Sequence, residues 1–574
     1  MRYSGRPLAA CNFVPRYSRY GELDSPPLDP RAGSDSTFVG VNMRLSPNDL
    51  PPSIVALAVN KRFIKGEAQT RSGILELAPQ NVGATVLGAA IFSDPNGYES
   101  IIVATASACY SIRDGGLPST ITLPSGTTLS GVVSMVQAFD QVLLFWGETN
   151  SVLQWDGTPG GAFEVVPQSG SGTGTLPIPG SVFAATFANR LFVPYTQGQR
   201  MDSILVSDIL DYTRYVPQIN QFRINFGTSD DIIGITPFGL TTLVIFKTAS
   251  ISYLRNVSGD LSSVVAAQLT KEVGLVATKA VAQIGSYLWF LGNNGVYRMT
   301  VTLGDDKIVL DPIPVSYIMQ PFFNGVNWRS ISSATMAVDQ ERLYICLPWG
   351  GSTVTKNNAV AVYNHITAQW EGYDTFAPDI NCNSLLPLAY LGKRETWWVD
   401  ASGRIGIFNK GLGEDFWAAT NYAISDQLTT RAYYSIGTDR RAFSRIGVQL
   451  ATFNPSFSVS TLTDDTDDTI SVVASEVPSR TAYSMFGVAA YVLTNAGNDH
   501  DNAYRGDYRV LPSDSFQPRS GAQVELPSRI LFRGLARSHG QYLQIDVQNT
   551  LGYCSVVSAS VDAADADRET HQFN

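Results

Sequence analysis

From about residue 81 to residue 412 the chain alternates short apolar runs with polar turns, and one unit recurs. Asn96-Gly97-Tyr98 leads into Ile101-Ile102-Val103-Ala104, Phe139-Asp140-Gln141 into Val142-Leu143-Leu144-Phe145, and Ala188-Asn189-Arg190 into Leu191-Phe192-Val193. The same arrangement returns at Phe238-Gly239-Leu240, Ile284-Gly285-Ser286, Asp339-Gln340-Glu341 and Leu391-Gly392-Lys393, each followed by an apolar strand. With tips at 96, 140, 189, 239, 285, 340 and 392, the successive steps are 44, 49, 50, 46, 55 and 52 residues. After each tip a return strand ends beside a polar turn, as in Val152-Leu153-Gln154-Trp155-Asp156-Gly157 and Gly295-Val296-Tyr297-Arg298. Repeats of about 40–50 residues holding several strands predict propeller blades. Alternating strands alone would also fit two stacked sandwiches; the steady step favours radial repetition, and the expectation is an all-β propeller of about six to eight blades. No amphipathic helix of 12 or more residues interrupts this stretch, which argues against βαβ units.

The two ends read differently. The first 50 residues are rich in Pro, Arg and Tyr, without strand or helix periodicity, and contain Phe13, Tyr17, Tyr20 and Phe38. They are expected to form an arm that orders only against a neighbouring subunit or an adjoining protein of the assembly, with lead-in strands up to residue 80. After Gly413 lysine disappears and strand spacing loosens. Strands are predicted at 430–434, 443–450, 457–460, 530–532 and 542–547, making residues 413–574 a second, sandwich-like β domain.

Composition narrows the function classes. Hydrophobic residues make up 44% and charged residues 16%, below the roughly 25% of an average globular protein. That suits many short strands and large buried contacts between subunits. The net charge of −10, with no run of Lys and Arg, argues against a phosphate-gripping nucleic-acid binder; a nucleic acid that meets this protein is expected to pass by rather than bind. Residues 413–574 hold 19 acidic and 12 basic residues, −7 of that total. Cys11, Cys109, Cys346, Cys382 and Cys554 are far apart and form no CxxC pair, so neither a zinc site nor a disulfide framework is indicated. Met1-Arg2-Tyr3-Ser4-Gly5-Arg6 precedes no apolar core, and no apolar run reaches the ~20 residues needed to cross a bilayer. A soluble protein made in the cytoplasm, without membrane insertion, is expected.

No catalytic, cofactor-binding or metal-binding residue emerges. His365, His500, His539 and His571 each stand alone, and no HExxH, GxSxG or Walker A sequence is present. Gly170-Ser171-Gly172-Thr173-Gly174 is followed by Thr175-Leu176-Pro177-Ile178-Pro179, where no helix N-terminus receives an anion, so it reads as a linker. Asp464-Asp465-Thr466-Asp467-Asp468 lacks the glycine and closing Glu of an EF-hand loop and fits a solvated hairpin tip as well as a Ca²⁺ loop. Glycosidase propellers need paired carboxylates; Ser207-Asp208 is a single echo of the Ser/Asp boxes of sialidase propellers.

One series of segments points further. Val206-Ser207-Asp208-Ile209-Leu210-Asp211-Tyr212-Thr213-Arg214-Tyr215 is followed by Asp231-Ile232-Ile233-Gly234-Ile235-Thr236-Pro237-Phe238 and Leu243-Val244-Ile245-Phe246-Lys247. Then come Ser250-Ile251-Ser252-Tyr253-Leu254, Ala282-Gln283-Ile284-Gly285-Ser286-Tyr287-Leu288-Trp289-Phe290-Leu291 and Asn358-Ala359-Val360-Ala361-Val362-Tyr363-Asn364. In this order they resemble the propeller proteins of short-tailed bacteriophage tails, variously called nozzle, tail tubular protein B, or tail hub and DNA-stabilisation proteins. The resemblance covers residues 180–410 well and the ends loosely, and it rests on order rather than on one motif. It implies a non-enzymatic virion component forming a ring of identical subunits, commonly six. Its partners would be the portal and adaptor and the tail fibres or spikes, with viral DNA passing through without specific binding. An acidic bore, supplied by the surplus after residue 413, would let a duplex slide. The alternative reading is a receptor- or carbohydrate-binding, possibly glycan-degrading, propeller.

Overall fold

The computed structural model describes residues 31–113, 116–167, 176–197, 200–225, 230–257, 259, 261–301, 307–390, 392–410, 413–434, 441–463, 471–472, 528–540 and 542–564. Seven blades, each an antiparallel meander of four strands at its core, occupy 86–122, 134–165, 185–223, 232–270, 281–310, 335–375 and 384–423. Six are separate sheets; the sixth in chain order, 335–375, is also the rim of a 14-stranded curled sheet, a half-barrel.

The seven tips read from the sequence are the hairpins joining the first and second strands of each blade. Each holds a residue at positive φ: Gly97, Phe139, Asn189, Gly239, Gly285, Gln340 and Gly392. Tight turns whose twist matches the flanking strands need that backbone, so Asn, Gly and polar residues punctuate the apolar runs.

The second strand of each blade is apolar on both faces because a neighbouring blade covers each side. Alternate residues go to opposite interfaces. Val142 and Leu144 pack with Ile102 and Ala104 of the first blade, whereas Leu143 and Phe145 pack with Leu191 and Val193 of the third. Phe192 meets Leu243 and Ile245, Val244 and Phe246 meet Leu288 and Phe290, and Trp289 and Leu291 meet Leu343 and Ile345. Tyr344 and Cys346 then meet Trp398 and Phe408, and Trp397 and Val399 close on Ile101 and Val103. The ring is therefore complete. Each such side chain contributes about 1.5–3 kcal/mol by leaving water. The chain closes the seventh blade from its other end, with Ile74–Glu76 as fourth strand beside Ile405–Phe408.

The ends do not sort by the boundaries expected at 80 and 413. Arg31–Asp35 pairs with the strand Tyr542–Ala564 (Ser34 opposite Ser560), so this part of the expected arm is ordered against its own chain, and Phe38 is buried. Residues 1–30 lie outside the described residues. Glu414–Trp417 and Thr420–Ala423 belong to the seventh blade. The remaining C-terminal strands form one curled sheet with N-terminal strands, where two sandwich layers were expected. Strands expected at 443–450 and 457–460 are one, Arg441–Thr463, paired along its length with Tyr542–Ala564. Register shifts between Phe453 and Ser456 accommodate Pro455, which has no N–H to give to a ladder. Strands of 23 residues far exceed the usual 5–6, and a sheet that long relieves its twist by curling.

Candidate functional site

Polar chemistry concentrates at the junction between half-barrel and propeller; the channel through the propeller is the second candidate for a site.

The junction is built by the hairpin Lys61–Ile64 and Glu67–Thr70 with the segment running on to Ile74–Glu76. Lys61 is fully buried; its Nζ lies 2.5 Å from Asp426 Oδ1 and donates to the Cys554 carbonyl at 2.8 Å. The other Asp426 oxygen accepts from Thr70 Oγ1 (2.6 Å) and Asn549 Nδ2 (3.0 Å). Burial raises the Asp426 carboxyl from its ordinary range despite the opposing pull of Lys61, and pushes the Cys554 thiol up to about 12. Arg62 Nη1 donates to Asp374 of the sixth blade at 2.8 Å. Beside it Arg342 Nε donates to Glu371 at 2.8 Å. Arg71 makes a two-pronged contact with Asp415 at 2.8 and 2.7 Å, donates to Asn60 Oδ1 and the Thr375 carbonyl, and stacks 4.4 Å from the Phe376 ring centroid. Asp415 also accepts the Ile74 N–H. Burial by itself would raise the Glu76 carboxyl, but hydrogen bonds from Asn81, Arg404 and the Ala418 backbone hold it below the usual carboxylate range.

Each cation thus ties a different element to the N-terminal segment: the C-terminal strands, the sixth blade and the seventh. Paired, hydrogen-bonded burial is the condition under which charges survive in an interior. Backbone pairing follows the same route, from Gln369–Thr375 through Leu57–Val59 and Asp426–Thr429 to Tyr542–Ala564. Sequence reading missed these residues. The available signal was charge in strands of a charge-poor chain, as in Lys61-Arg62-Phe63-Ile64.

The acidic surplus after residue 413 was expected to face a bore. Of these residues Asp415, Asp426 and Asp546 are buried, and the first two serve the junction; most of the others lie outside the described residues. Asp464–Asp468, His500 and His571 lie outside the described residues, and the side chain of His539 is not among those described. His365 sits at the sixth tip against the Gln340 carbonyl. Cys109, Cys346, Cys382 and Cys554 are free and buried. Among the described residues no three His, Cys, Asp or Glu gather as a metal site, and no helix is long and apolar enough to cross a membrane.

The seven first strands line the channel, and the only charged residue they carry is Asp339. Gln137 bridges the first two, exchanging hydrogen bonds with the Ser93 backbone. The wall is otherwise neutral, from Leu87 and Ala89 through Ala282 and Ile284 to Leu386 and Pro387.

No protein-family model and no curated protein matches the sequence. Among solved structures the chain is similar to a catalytically inactive virginiamycin B lyase from Staphylococcus aureus at 14% identity, over 58% of this chain and 98% of that one, with a TM-score of 0.37. It is similar to a BBS1 N-terminal fragment solved in complex with ARL6DN at 13% identity, 59% and 96% coverage and a TM-score of 0.35. The Swd1 β-propeller domain of Myceliophteria thermophila aligns at 9% identity, 56% and 96% coverage and a TM-score of 0.34. What this chain has in common with them is the all-β propeller fold.

Proposed function

We propose that this protein is a non-enzymatic structural subunit of a short-tailed bacteriophage tail, a hub or nozzle that assembles into a ring around the path of the genome. The observation that carries the reading is the junction. The half-barrel is joined to the propeller by a continuous backbone ladder and by buried Lys61–Asp426, Arg62–Asp374 and Arg71–Asp415 contacts, so force on one part is transmitted to the other. The order of the blade segments, which resembles that of the tail propellers, supports the same reading, as does a charge content of 16%. Heterologous contacts between identical subunits close into a ring when the rotation fits. Portal, adaptor and fibre or spike proteins are its proposed neighbours, with DNA passing unbound and the virion as its place.

Electron microscopy of the purified full chain and of whole tails tests the proposal. A cyclic ring, on the tail axis in the virion, is the expected result. A monomer at every concentration that is absent from the tail axis overturns it. Saturable binding or cleavage of glycans would transfer the protein to the carbohydrate-recognition class.

A further inference from the structure

The first strands of the blades begin at one mouth of the channel, and a single lysine is placed there across several of them. Thr278 Oγ1 donates to the Ile233 carbonyl of the fourth blade at 3.0 Å, and the Lys279 carbonyl accepts the Met336 N–H of the sixth at 3.0 Å. Lys279 Nζ reaches Ser384 Oγ at 3.1 Å and Asn383 Oδ1 at 3.4 Å, where the seventh blade starts. Asn383 Nδ2 in turn donates to the Val86 carbonyl of the first blade at 3.2 Å. We propose that Lys279, positioned by Ser384 and Asn383, forms a binding site for a small oxyanion, a carboxylate or phosphate group, at this mouth of the channel.

The comparison with the other enclosed lysines carries the inference. Lys61 has Asp426, Lys247 has Asp230 and Lys410 has Glu395. Lys279, half-buried, meets two neutral oxygens and, among the described residues, no carboxylate within ion-pair distance. An ammonium carries three protons, and two of them are directed at Asn383 and Ser384. A cation in a low-dielectric setting without a partner is costly, and an anion entering from the channel removes that cost. A charge-assisted hydrogen bond from the third ammonium proton is a usual means of holding such a group; the buried Ser384 hydroxyl, which accepts from Lys279 and donates to Asn383 Oδ1 at 3.0 Å, holds the ammonium in place. Of the titratable neighbours, the Cys382 thiol is pushed well above its ordinary value by burial and stays neutral, and Asp400, whose Oδ2 accepts from Ser402, makes no ion pair with Lys279. Burial also lowers the Lys279 amine to about 8, which leaves it mainly protonated at pH 7 and ready for an anion.

The test is calorimetric titration of the full chain at pH 7 and constant ionic strength with inorganic phosphate and, separately, acetate. One-site saturable binding with Kd of about 1 mM or tighter is expected for at least one of them. Lys279→Met should weaken it at least ~10-fold and Ser384→Ala by ~3-fold, and the bound anion should raise the Tm of the wild-type chain but not that of Lys279→Met. If Lys279→Met fails to fold, Lys279→Gln, which keeps a polar tip, takes its place. Binding of phosphate alone or acetate alone assigns the site to tetrahedral or planar oxyanions. No saturation of either by about 50 mM, or equal affinity in wild type and the Lys279 variant, overturns the proposal.

Discussion

The propeller and the half-barrel solve the same problem, burial of strands, over opposite chain distances. Within a blade, second and third strands are hairpin neighbours, as with Leu243 opposite Leu254. In the half-barrel, Ser34 lies opposite Ser560 and Gln69 opposite Ser555. The blades cohere mainly through apolar interlocking, with Phe246 against Phe290 at 5.1 Å and Tyr344 against Phe408 at 5.0 Å between ring centroids, and the hydrogen bonds that cross between first strands are neutral ones such as Gln137 to Ser93 and Thr278 to Ile233. The long-range junction adds buried ion pairs. Apolar packing is non-directional, and a ring of similar blades needs no buried charge pairs to set its order, because the chain order already brings neighbours together. Strands from opposite ends of a 574-residue chain have no such help. Charge pairs that are costly when mismatched give the junction one acceptable register, a use of buried polar groups attested elsewhere as specificity.

The largest effect should come from the blade interfaces. Trp398→Ala leaves a cavity where Phe376 and Phe408 packed and is expected to cost about 3–5 kcal/mol in chemical denaturation. A loss below 1 kcal/mol would mean that the seventh blade is loosely held.

A slightly smaller loss, about 3 kcal/mol, is expected for Lys61→Met alone, which strands Asp426 without its cation. The double variant Lys61→Met with Asp426→Leu should recover most of it, because two apolar groups need no partner. If the double variant retains stability yet the long strands lose protection in hydrogen exchange, the ion pair sets register. If protection is unchanged, packing alone suffices and the contrast between the regions disappears.

Glu76 gives the pH dependence. Its folded-state carboxyl lies below the ordinary 4.5, so it contributes stability that is present above pH 4.5 and lost as pH falls through the folded value. Arg404 is partly exposed, which limits the effect to about 1 kcal/mol. Glu76→Gln should remove that contribution at pH 7 and show no difference from wild type at the acid end of a denaturation series. A difference that persists there would trace the loss to packing.

The smallest change is expected at the tips. Leu240 is 92% exposed, and Leu240→Ser should alter stability by no more than about 0.5 kcal/mol in the isolated chain. A larger shift, seen only in assembled protein, would place this tip in a subunit contact.

What the sequence determined by itself was the propeller. Seven tips, the runs that follow them and the all-β class are local properties: a positive-φ turn favours Gly or Asn, which the tips hold in five of seven cases, and a strand covered on both faces needs an unbroken apolar run. Tertiary structure alone decided where the ends go. Period-two alternation shows that Tyr542–Ala564 has faces to bury, but it carries no label naming Arg31–Asp35, Glu67–Thr70 or Asp426–Thr429 as partners. The same holds for the site residues. Lys61 and Asp426 are 365 positions apart, and Lys279 and Ser384 are 105. Electrostatic and hydrogen-bond energies depend on distance in space, which a one-dimensional pattern sets only for residues joined by a short turn.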